Sequence, residues 1–161
     1  MSITNKQSNI LDQNIGIAGC GEMGYPMLKM LLQNNINATG HDIKASKNFK
    51  DFGKKYIPSK SDFFLKNDVV LSIVRDTKET EDLLIKNNAL LSKKHVTILI
   101  CSTLPITYIK KLKKNLPEHF RLIDTPMSGS TIKAKEGTLT FMVGGKNDEV
   151  QNIMPLLNIL G

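Results

Sequence analysis

The sequence of 161 residues has no long hydrophobic run. A helix that spans a membrane needs about 18 or more consecutive, mostly apolar residues, and no segment approaches that length. Residues 1–12 are polar and lack the apolar core of a secretion signal. We therefore expect a cytoplasmic protein with no membrane partner, in which residues 1–12 form a flexible extension and residues 13–161 fold as one domain.

Cysteine is scarce, because Cys20 and Cys101 are the only two in the chain. Cys20 lies in a glycine-rich turn, and Cys101 follows a predicted buried strand. The strand before the Cys20 turn and the strand before Cys101 are not neighbours in the sheet predicted below. The Cα atoms of the two cysteines should therefore lie on the order of 10 Å apart, too far for a disulfide. We expect two free thiols, and we predict no metal site.

Positive charge is in excess, with a formal net charge of +7, which raises the possibility of a nucleic-acid partner. The densest cluster of basic residues consists of Lys110, Lys111, Lys113 and Lys114. It lies on one predicted helix and has no interleaved aromatic residues that could stack on bases. A solvated helix face explains the cluster better, and no nucleic-acid partner is expected. Duplex binding that weakens steeply with salt would contradict this expectation.

The most informative stretch is a short apolar run, residues 15–18, followed by Gly19, Gly21 and Gly24 and then by a helical pattern. In the G-x-G-x-x-G spacing, one glycine makes a tight turn, one lets a pyrophosphate approach the backbone, and one lets the helix pack on the strand. Free N–H groups at the start of the helix would hold the phosphates. Because three glycines also occur in turns that bind nothing, this pattern needs support from its surroundings.

Asp42 provides that support. It closes a second short predicted strand, residues 37–41, and lies ~20 residues beyond the turn, where a carboxylate accepts hydrogen bonds from the ribose hydroxyls of adenosine. A carboxylate also repels the 2′-phosphate of NADP, so Asp42 favours NAD. Ile43 follows Asp42 directly, and the next residue, Lys44, is a cation that could accept the phosphate, which keeps NADP possible.

Strands and helices alternate along the chain, which predicts a doubly wound, mostly parallel α/β sheet. Further buried strands are predicted at residues 68–74 and 96–100, each followed by signals for the start of a helix. Ligands of such sheets bind at the carboxyl ends of the strands. One rim of the sheet should therefore bring together the glycine turn, Asp42, Val74 with Arg75, and Ser102 with Thr103.

A second turn of small residues, Ser128–Gly129–Ser130, lies between a predicted strand and the segment that ends at Gly145. Such a turn can direct several backbone N–H groups toward an anion, for example a carboxylate. Turns of serine and glycine are nevertheless more often plain connections. The residues alone leave both interpretations open.

These motifs resemble the N-terminal domain of the β-hydroxyacid dehydrogenases, a family that includes 3-hydroxyisobutyrate dehydrogenase, tartronate semialdehyde reductase and the cofactor domain of 6-phosphogluconate dehydrogenase. The resemblance spans Ile15 to Gly145. The opening signature, a glycine turn running into Met-Gly-x-Pro-Met, is present at Gly19 to Met27. The substrate-loop signature Asp-x-Pro-x-Ser-Gly-Gly, followed by Gly-Thr-Leu and Met-Val-Gly-Gly, is present with Ser130 in place of the second glycine.

The resemblance implies a Rossmann-type fold and reversible hydride transfer between a nicotinamide cofactor and a small 3-hydroxy acid or its semialdehyde. The predicted cofactor-binding residues are Gly19, Gly21, Glu22, Met23, Gly24, Asp42, Ile43, Lys44, Val74, Arg75 and Thr103. The residues predicted to bind the substrate carboxylate are Ser128, Gly129 and Ser130. Glu22 is a departure, because its carboxylate would repel a pyrophosphate unless it turns to solvent. Arg75 stands where the family usually has proline, and we hypothesise that its guanidinium reaches the cofactor phosphates.

The family's general acid/base is a lysine in a Gly-x-Gly-x-x-x-Lys motif, which begins a second, all-helical domain. This sequence ends at Gly161 before any such motif, and none of its lysines has that context. No catalytic residue is therefore predicted here, and we expect the chain alone to bind cofactor without turnover. The alternative is a non-catalytic dinucleotide-binding or sensing module.

A homodimer is possible, although family dimers form largely through the helical domain. The last predicted helix carries an apolar face formed by Ile153, Leu156, Leu157 and Leu160. We expect that an isolated chain could expose this face and self-associate through it.

Overall fold

The computed structural model describes residues 9–44, 47–86 and 95–161. Its centre is a five-stranded parallel sheet with the strand order β2-β1-β3-β4-β5. The strands are β1 (Ile15–Ala18), β2 (Ala38–His41), β3 (Val69–Ser72), β4 (Val96–Ile100) and β5 (Phe120–Asp124). A short antiparallel pair, β6 (Met127–Ser128) and β7 (Thr140–Phe141), lies beside it. The predicted doubly wound, parallel α/β fold is confirmed.

Helices connect the strands and cover both faces of the sheet. Those in the described residues are α1 (Gly24–Gln33), α2 (Lys60–Lys66), α3 (Thr77–Leu84), α4 (Ile106–Asn115), α5 (Thr131–Glu136) and α6 (Asn147–Leu160), with 3-10 segments at Ile10–Asp12 and Lys47–Lys55. Within the described ranges, none of these helices combines the length and the apolarity that crossing a bilayer requires.

Three of the strands are buried along their whole length because both faces of the sheet are covered. Every residue of β1, β2 and β3 is buried. One cluster of buried side chains includes residues of α1 and α6, and a second on the other face includes residues of α2, α3 and α4. The strand predicted at residues 68–74 ends earlier, at Ser72, and Ile73 and Val74 leave the sheet to line a cleft described below.

The apolar face of α6 is buried within this chain. Its four members are at most 2% exposed, namely Ile153, Leu156, Leu157 and Leu160. They belong to the same cluster as the apolar face of α1, and the backbone N–H of Leu139 donates to the carbonyl of Leu160 at 3.1 Å. The prediction that this face could be exposed for self-association is therefore wrong, because the sheet and α1 already cover it.

Cys20 and Cys101 are free and buried, as predicted. Cys20 follows β1 and Cys101 follows β4, and β3 lies between those two strands in the sheet. Burial raises the pKa of each thiol to about 12. Both cysteines are therefore inert, neutral members of the core.

Candidate functional site

A cleft of ≈ 700 Å³ opens at the carboxyl ends of β1, β2 and β3. Its position agrees with the rule that ligands of open parallel sheets bind at this edge. The lining residues come from the end of β2, from the turns after these strands, from α2 and α3, and from the second position past α3. They are Gly19, Gly21, Glu22, His41, Asp42, Ile43, Lys44, Lys60, Ile73, Val74, Arg75, Glu79, Asp82, Leu83 and Lys86.

Two glycines of the first turn are required by the packing of the chain itself. Gly19 has a φ of +92°, and a Cβ atom there would lie 2.6 Å from the carbonyl oxygen of Ile73. A Cβ atom on Gly24 would lie 2.0 Å from the carbonyl oxygen of Gly19. The first glycine thus lets the turn pass close to β3, and the last lets α1 begin directly against the turn.

Gly21 has no such internal reason to be glycine. A Cβ atom built at this position meets no heavy atom within 4 Å, and the residue is exposed at the wall of the cleft. The space in front of Gly21 is therefore open to a ligand that approaches the backbone closely. This is the geometry that a pyrophosphate group requires.

The start of α1 also leaves three backbone N–H groups without an acceptor among the described residues. The N-cap residue, Met23, provides no side-chain acceptor, and the first turn contains no acidic residue. Among the hydrogen bonds of the described residues, none is donated by the backbone N–H groups of Glu22, Met23 or Gly24. Free N–H groups and the positive end of the helix dipole form a site for an anion.

Neither of the two bulky residues near this turn fills the cleft. Glu22 is exposed at its wall. The ring of Tyr25 packs against Phe52 with the ring centroids 5.0 Å apart, and Tyr25 is not among the lining residues. The entrance to the backbone of Gly21 is therefore open.

Asp42 lies at the end of β2 on a firmly held segment. Its Oδ1 atom accepts the backbone N–H of Lys44 at 2.8 Å, and its carbonyl accepts the hydroxyl of Tyr56 at 3.0 Å. These two bonds fix the carboxylate at the wall of the cleft, on the far side of β1 from β3. A fixed carboxylate in this place can accept hydrogen bonds from the hydroxyls of a ribose.

His41, directly before Asp42, is structural. Its ring is 4% exposed, its Nδ1 atom lies 2.9 Å from the carbonyl oxygen of Ile57, and its ring lies beside Phe63. Burial lowers the pKa of His41, and the nearby ammonium of Lys60 lowers it further. The ring is therefore neutral near pH 7 and supports the floor of the cleft without supplying charge.

Part of the cleft wall is apolar. Ile43 is 84% exposed beside Asp42, which is unusual for a large aliphatic side chain, and Val74 and Leu83 line the same cleft. An exposed aliphatic surface next to a carboxylate that can accept ribose hydroxyls suits a flat, weakly polar ring such as adenine.

Arg75 is engaged with α3. Its backbone N–H donates to Glu79 Oε2 at 2.8 Å, its Nε donates to Glu79 Oε1 at 2.8 Å, and its Nη2 also contacts Oε1. These hydrogen bonds hold the pKa of Glu79 below its usual range. The predicted contact between Arg75 and cofactor phosphates stays a prediction.

The other predicted residues lie outside the cleft lining. Thr103 is exposed after β4, whereas the hydroxyl of its neighbour Ser102 donates to the carbonyl of Val74 and ties the ends of β4 and β3 together. Ser128 pairs with Thr140 in the β6–β7 hairpin, and Ser130 caps α5 by accepting the backbone N–H of Lys133. Their contacts with nicotinamide or substrate stay predictions.

Sequence reasoning missed the residues that α2, α3 and the second position past α3 add to the cleft, namely Lys60, Glu79, Asp82, Leu83 and Lys86. Lys60 donates to the carbonyl of Asp82, and burial lowers its pKa. The carboxylate of Asp82 is paired with Lys86 at 2.8 Å. The one available signal was the spacing of four between Arg75 and Glu79 at the start of a helix, which favours an ion pair.

Comparison with known proteins agrees with the dinucleotide site that the geometry indicates. The family model described as the NAD binding domain of 6-phosphogluconate dehydrogenase matches residues 14–161. The mitochondrial 3-hydroxyisobutyrate dehydrogenase of Homo sapiens is 32% identical over 152 residues, which cover 91% of this chain and 45% of that protein. The NAD-dependent L-serine dehydrogenase of Pseudomonas aeruginosa is 31% identical over 156 residues, which cover 92% and 52%.

Among solved structures, the 3-hydroxyisobutyrate dehydrogenase of Mycobacterium tuberculosis with L-serine matches with a TM-score of 0.82. The sequence identity is 22%, and the match covers 92% of this chain and 52% of that chain, so it shows the shared fold. The chain spans about half the length of the curated relatives it matches.

Proposed function

This chain belongs to the family of the NAD-binding domain of 6-phosphogluconate dehydrogenase, and from that premise we propose that it is the cofactor-binding part of a dehydrogenase. The proposed reaction moves hydride between a nicotinamide cofactor and a small 3-hydroxy acid or its semialdehyde. The observation that carries the proposal is the open space in front of Gly21 beside unused N–H groups at the start of α1.

The residues of the cleft fit a nicotinamide dinucleotide. The turn containing Gly19, Gly21 and Gly24 would hold the pyrophosphate, and Asp42 would hold the ribose of adenosine. Ile43 and Val74 would contact the adenine side, and Lys44 and Arg75 supply cations near it. When bound, the nicotinamide supplies a carbon that accepts or donates hydride. We propose a preference for NAD over NADP because the carboxylate of Asp42 repels a 2′-phosphate.

The substrate class rests on resemblance. The relatives named above are dehydrogenases of 3-hydroxyisobutyrate and of L-serine. Both compounds carry a hydroxyl on the carbon β to the carboxylate. We propose that Ser128, Gly129 and Ser130 contact the carboxylate of such an acid and that Thr103 lies near the nicotinamide.

Proton transfer needs a group within hydrogen-bond reach of the reacting oxygen. None of the titratable residues that line the cleft matches the family's lysine motif, so we propose that this group comes from a second, helical domain and that residues 13–161 alone are catalytically incomplete. A non-catalytic dinucleotide-binding or sensing module is the second candidate, and it shares the same cleft. We also propose that the protein forms a homodimer. We propose a cytoplasmic location as well, and the two free thiols support it.

The test is a pair of calorimetric titrations of the chain with NADH and NADPH, followed by an assay with small 3-hydroxy acids. Saturable binding of NADH, tighter than that of NADPH, is the expected result, and no turnover above background should occur. Failure to bind either nucleotide would reject the dehydrogenase assignment. Turnover by the chain alone would show that a proton-transfer group is present within it.

A further inference from the structure

Arg75 and Glu79 form an ion pair at the wall of the proposed cofactor cleft, and the function proposed above gives no role to Glu79. The Glu79 carboxylate is 23% exposed, whereas the Arg75 side chain is 80% exposed. All three hydrogen bonds from Arg75 go to this one carboxylate. Glu79 is therefore the more buried partner, and Arg75 is the exposed cation that it holds.

Glu79 is itself well fixed. It lies in the first turn of α3, where its backbone N–H donates to the Oδ1 of Asp76, the N-cap residue, at 2.8 Å. The ammonium of Lys44, on the segment after β2, also lowers the pKa of Glu79 electrostatically. The Glu79 carboxylate thus lies within electrostatic reach of two cations that line the cleft, Arg75 after β3 and Lys44 after β2.

This arrangement bears on the choice between the two nicotinamide nucleotides. They differ only by a phosphate on the 2′ oxygen of the adenosine ribose, and an arginine nearby is the usual means of binding that phosphate. Here an arginine is present in the cleft, but two of its five guanidinium N–H donors, on Nε and Nη2, are directed at the Glu79 carboxylate. A phosphate near Arg75 would compete with Glu79 for the guanidinium and would meet the repulsion of Glu79 as well as that of Asp42.

We propose that Glu79 is a specificity-determining residue, which holds Arg75 and thereby withholds the Arg75 guanidinium from the 2′-phosphate of NADP. The inference rests on the proposed function, because it assumes that the adenosine ribose binds beside Asp42. It adds that selection against NADP depends on a second carboxylate, on α3, as well as on the one at the end of β2.

The test compares the ratio of the dissociation constants of NADPH and NADH in the wild type, in Glu79→Gln and in Glu81→Gln. Glu81 lies on the same helix but outside the cleft lining, so its replacement removes an equal charge without freeing Arg75. We expect the ratio to shift about tenfold toward NADPH in Glu79→Gln, because the freed guanidinium makes charge-assisted bonds to phosphate. The ratio in Glu81→Gln should stay near that of the wild type.

The double variant Glu79→Gln with Arg75→Ala identifies the cation responsible. Its ratio should return most of the way to the wild-type value. An unchanged ratio in Glu79→Gln, an equal shift in Glu81→Gln, or a full shift that persists in the double variant would each overturn the inference. Circular dichroism of each variant confirms that it is folded. If the wild type bound neither nucleotide, the proposed function would fail, whereas normal NADH binding with an unchanged ratio would reject only the role of Glu79.

Discussion

The glycine turn after β1 and the Ser128–Ser130 turn before α5 are both built from small residues and both lead into a helix, but they use their polar groups differently. The first leaves the N-cap of α1 without a side-chain acceptor and leaves open space in front of Gly21. In the second, Ser130 caps α5, and a Cβ atom on Gly129 would lie 2.7 Å from Leu139.

The difference shows how a turn with free donors and open space departs from a turn whose helix end is already capped. The second turn has already satisfied its helix end and filled its space with side chains of the same chain. The first has unused donors and unused space, which cost stability unless a ligand or water occupies them. Residue type alone does not separate the two turns.

The largest effect should come from the glycine whose space is already occupied within the first turn. Gly24→Ala places a methyl group 2.0 Å from the carbonyl oxygen of Gly19, so the start of α1 must move away from the turn. We expect the free energy of unfolding to fall by about 3 kcal/mol, measured by urea denaturation. Gly144→Ala is the control, because its added atom would lie 3.9 Å from its nearest neighbour. Equal stability of the two variants would contradict the packing role of Gly24.

Gly21→Ala should separate binding from folding within the same turn. Its added methyl group meets nothing in the protein, so the free energy of unfolding should change by less than about 0.5 kcal/mol. The methyl group would, however, occupy space in which the pyrophosphate approaches the backbone, and NADH affinity should fall about tenfold. Calorimetry with NADH measures the second quantity. If Gly21→Ala lowered the free energy of unfolding and left NADH affinity unchanged, Gly21 would have a packing role like that of Gly24 and no role in binding.

Ser130→Ala should show the opposite behaviour in the second turn. Loss of the hydroxyl that accepts the N–H of Lys133 removes the cap of α5 and should lower the free energy of unfolding by about 1 kcal/mol. NADH affinity should not change, and Ser130→Asp should restore the stability because aspartate is also a good N-cap. A marked fall in NADH affinity in Ser130→Ala would mean that the two turns act on one cofactor site.

The smallest expected effect is the alkylation of Cys20 and Cys101 in the folded protein. A pKa raised to about 12 means that Cys20 and Cys101 remain protonated at pH 8, so iodoacetamide should leave both unmodified in the folded protein. Mass spectrometry before and after unfolding in urea measures this, with rapid labelling only in the unfolded chain. Rapid labelling of Cys20 in the folded state would show that the glycine turn opens more readily than its packing indicates.

Much of the cleft was predictable because its residues follow strands directly. Gly19, Gly21, Asp42, Val74 and Arg75 all come within a few residues of a strand's carboxyl end, and all of them line the cleft. The length of the third strand was less predictable. Ile73 and Val74 are as apolar as the strand before them, but they pack against the cleft, and apolarity does not tell a buried strand from an apolar cleft wall.

The contribution of α2 and α3 was not predictable from local patterns. Lys60 and Glu79 belong to helices whose position over the cleft depends on how they pack against the sheet. The same limit applies to α6, whose apolar face reads equally well as a surface for self-association and as part of a core. Only the packing of α6 beside α1 decided between the two.

By itself the sequence determined the alternation of strands and helices, the glycines of the first turn and the carboxylate at the end of β2. Each of these depends on neighbours a few residues away, because backbone conformation and strand burial are expressed in short patterns. The tertiary structure decided which glycine faces open space, which residues of α2 and α3 line the cleft and which apolar face is covered. Those outcomes depend on contacts between segments far apart in the chain, and no local pattern contains them.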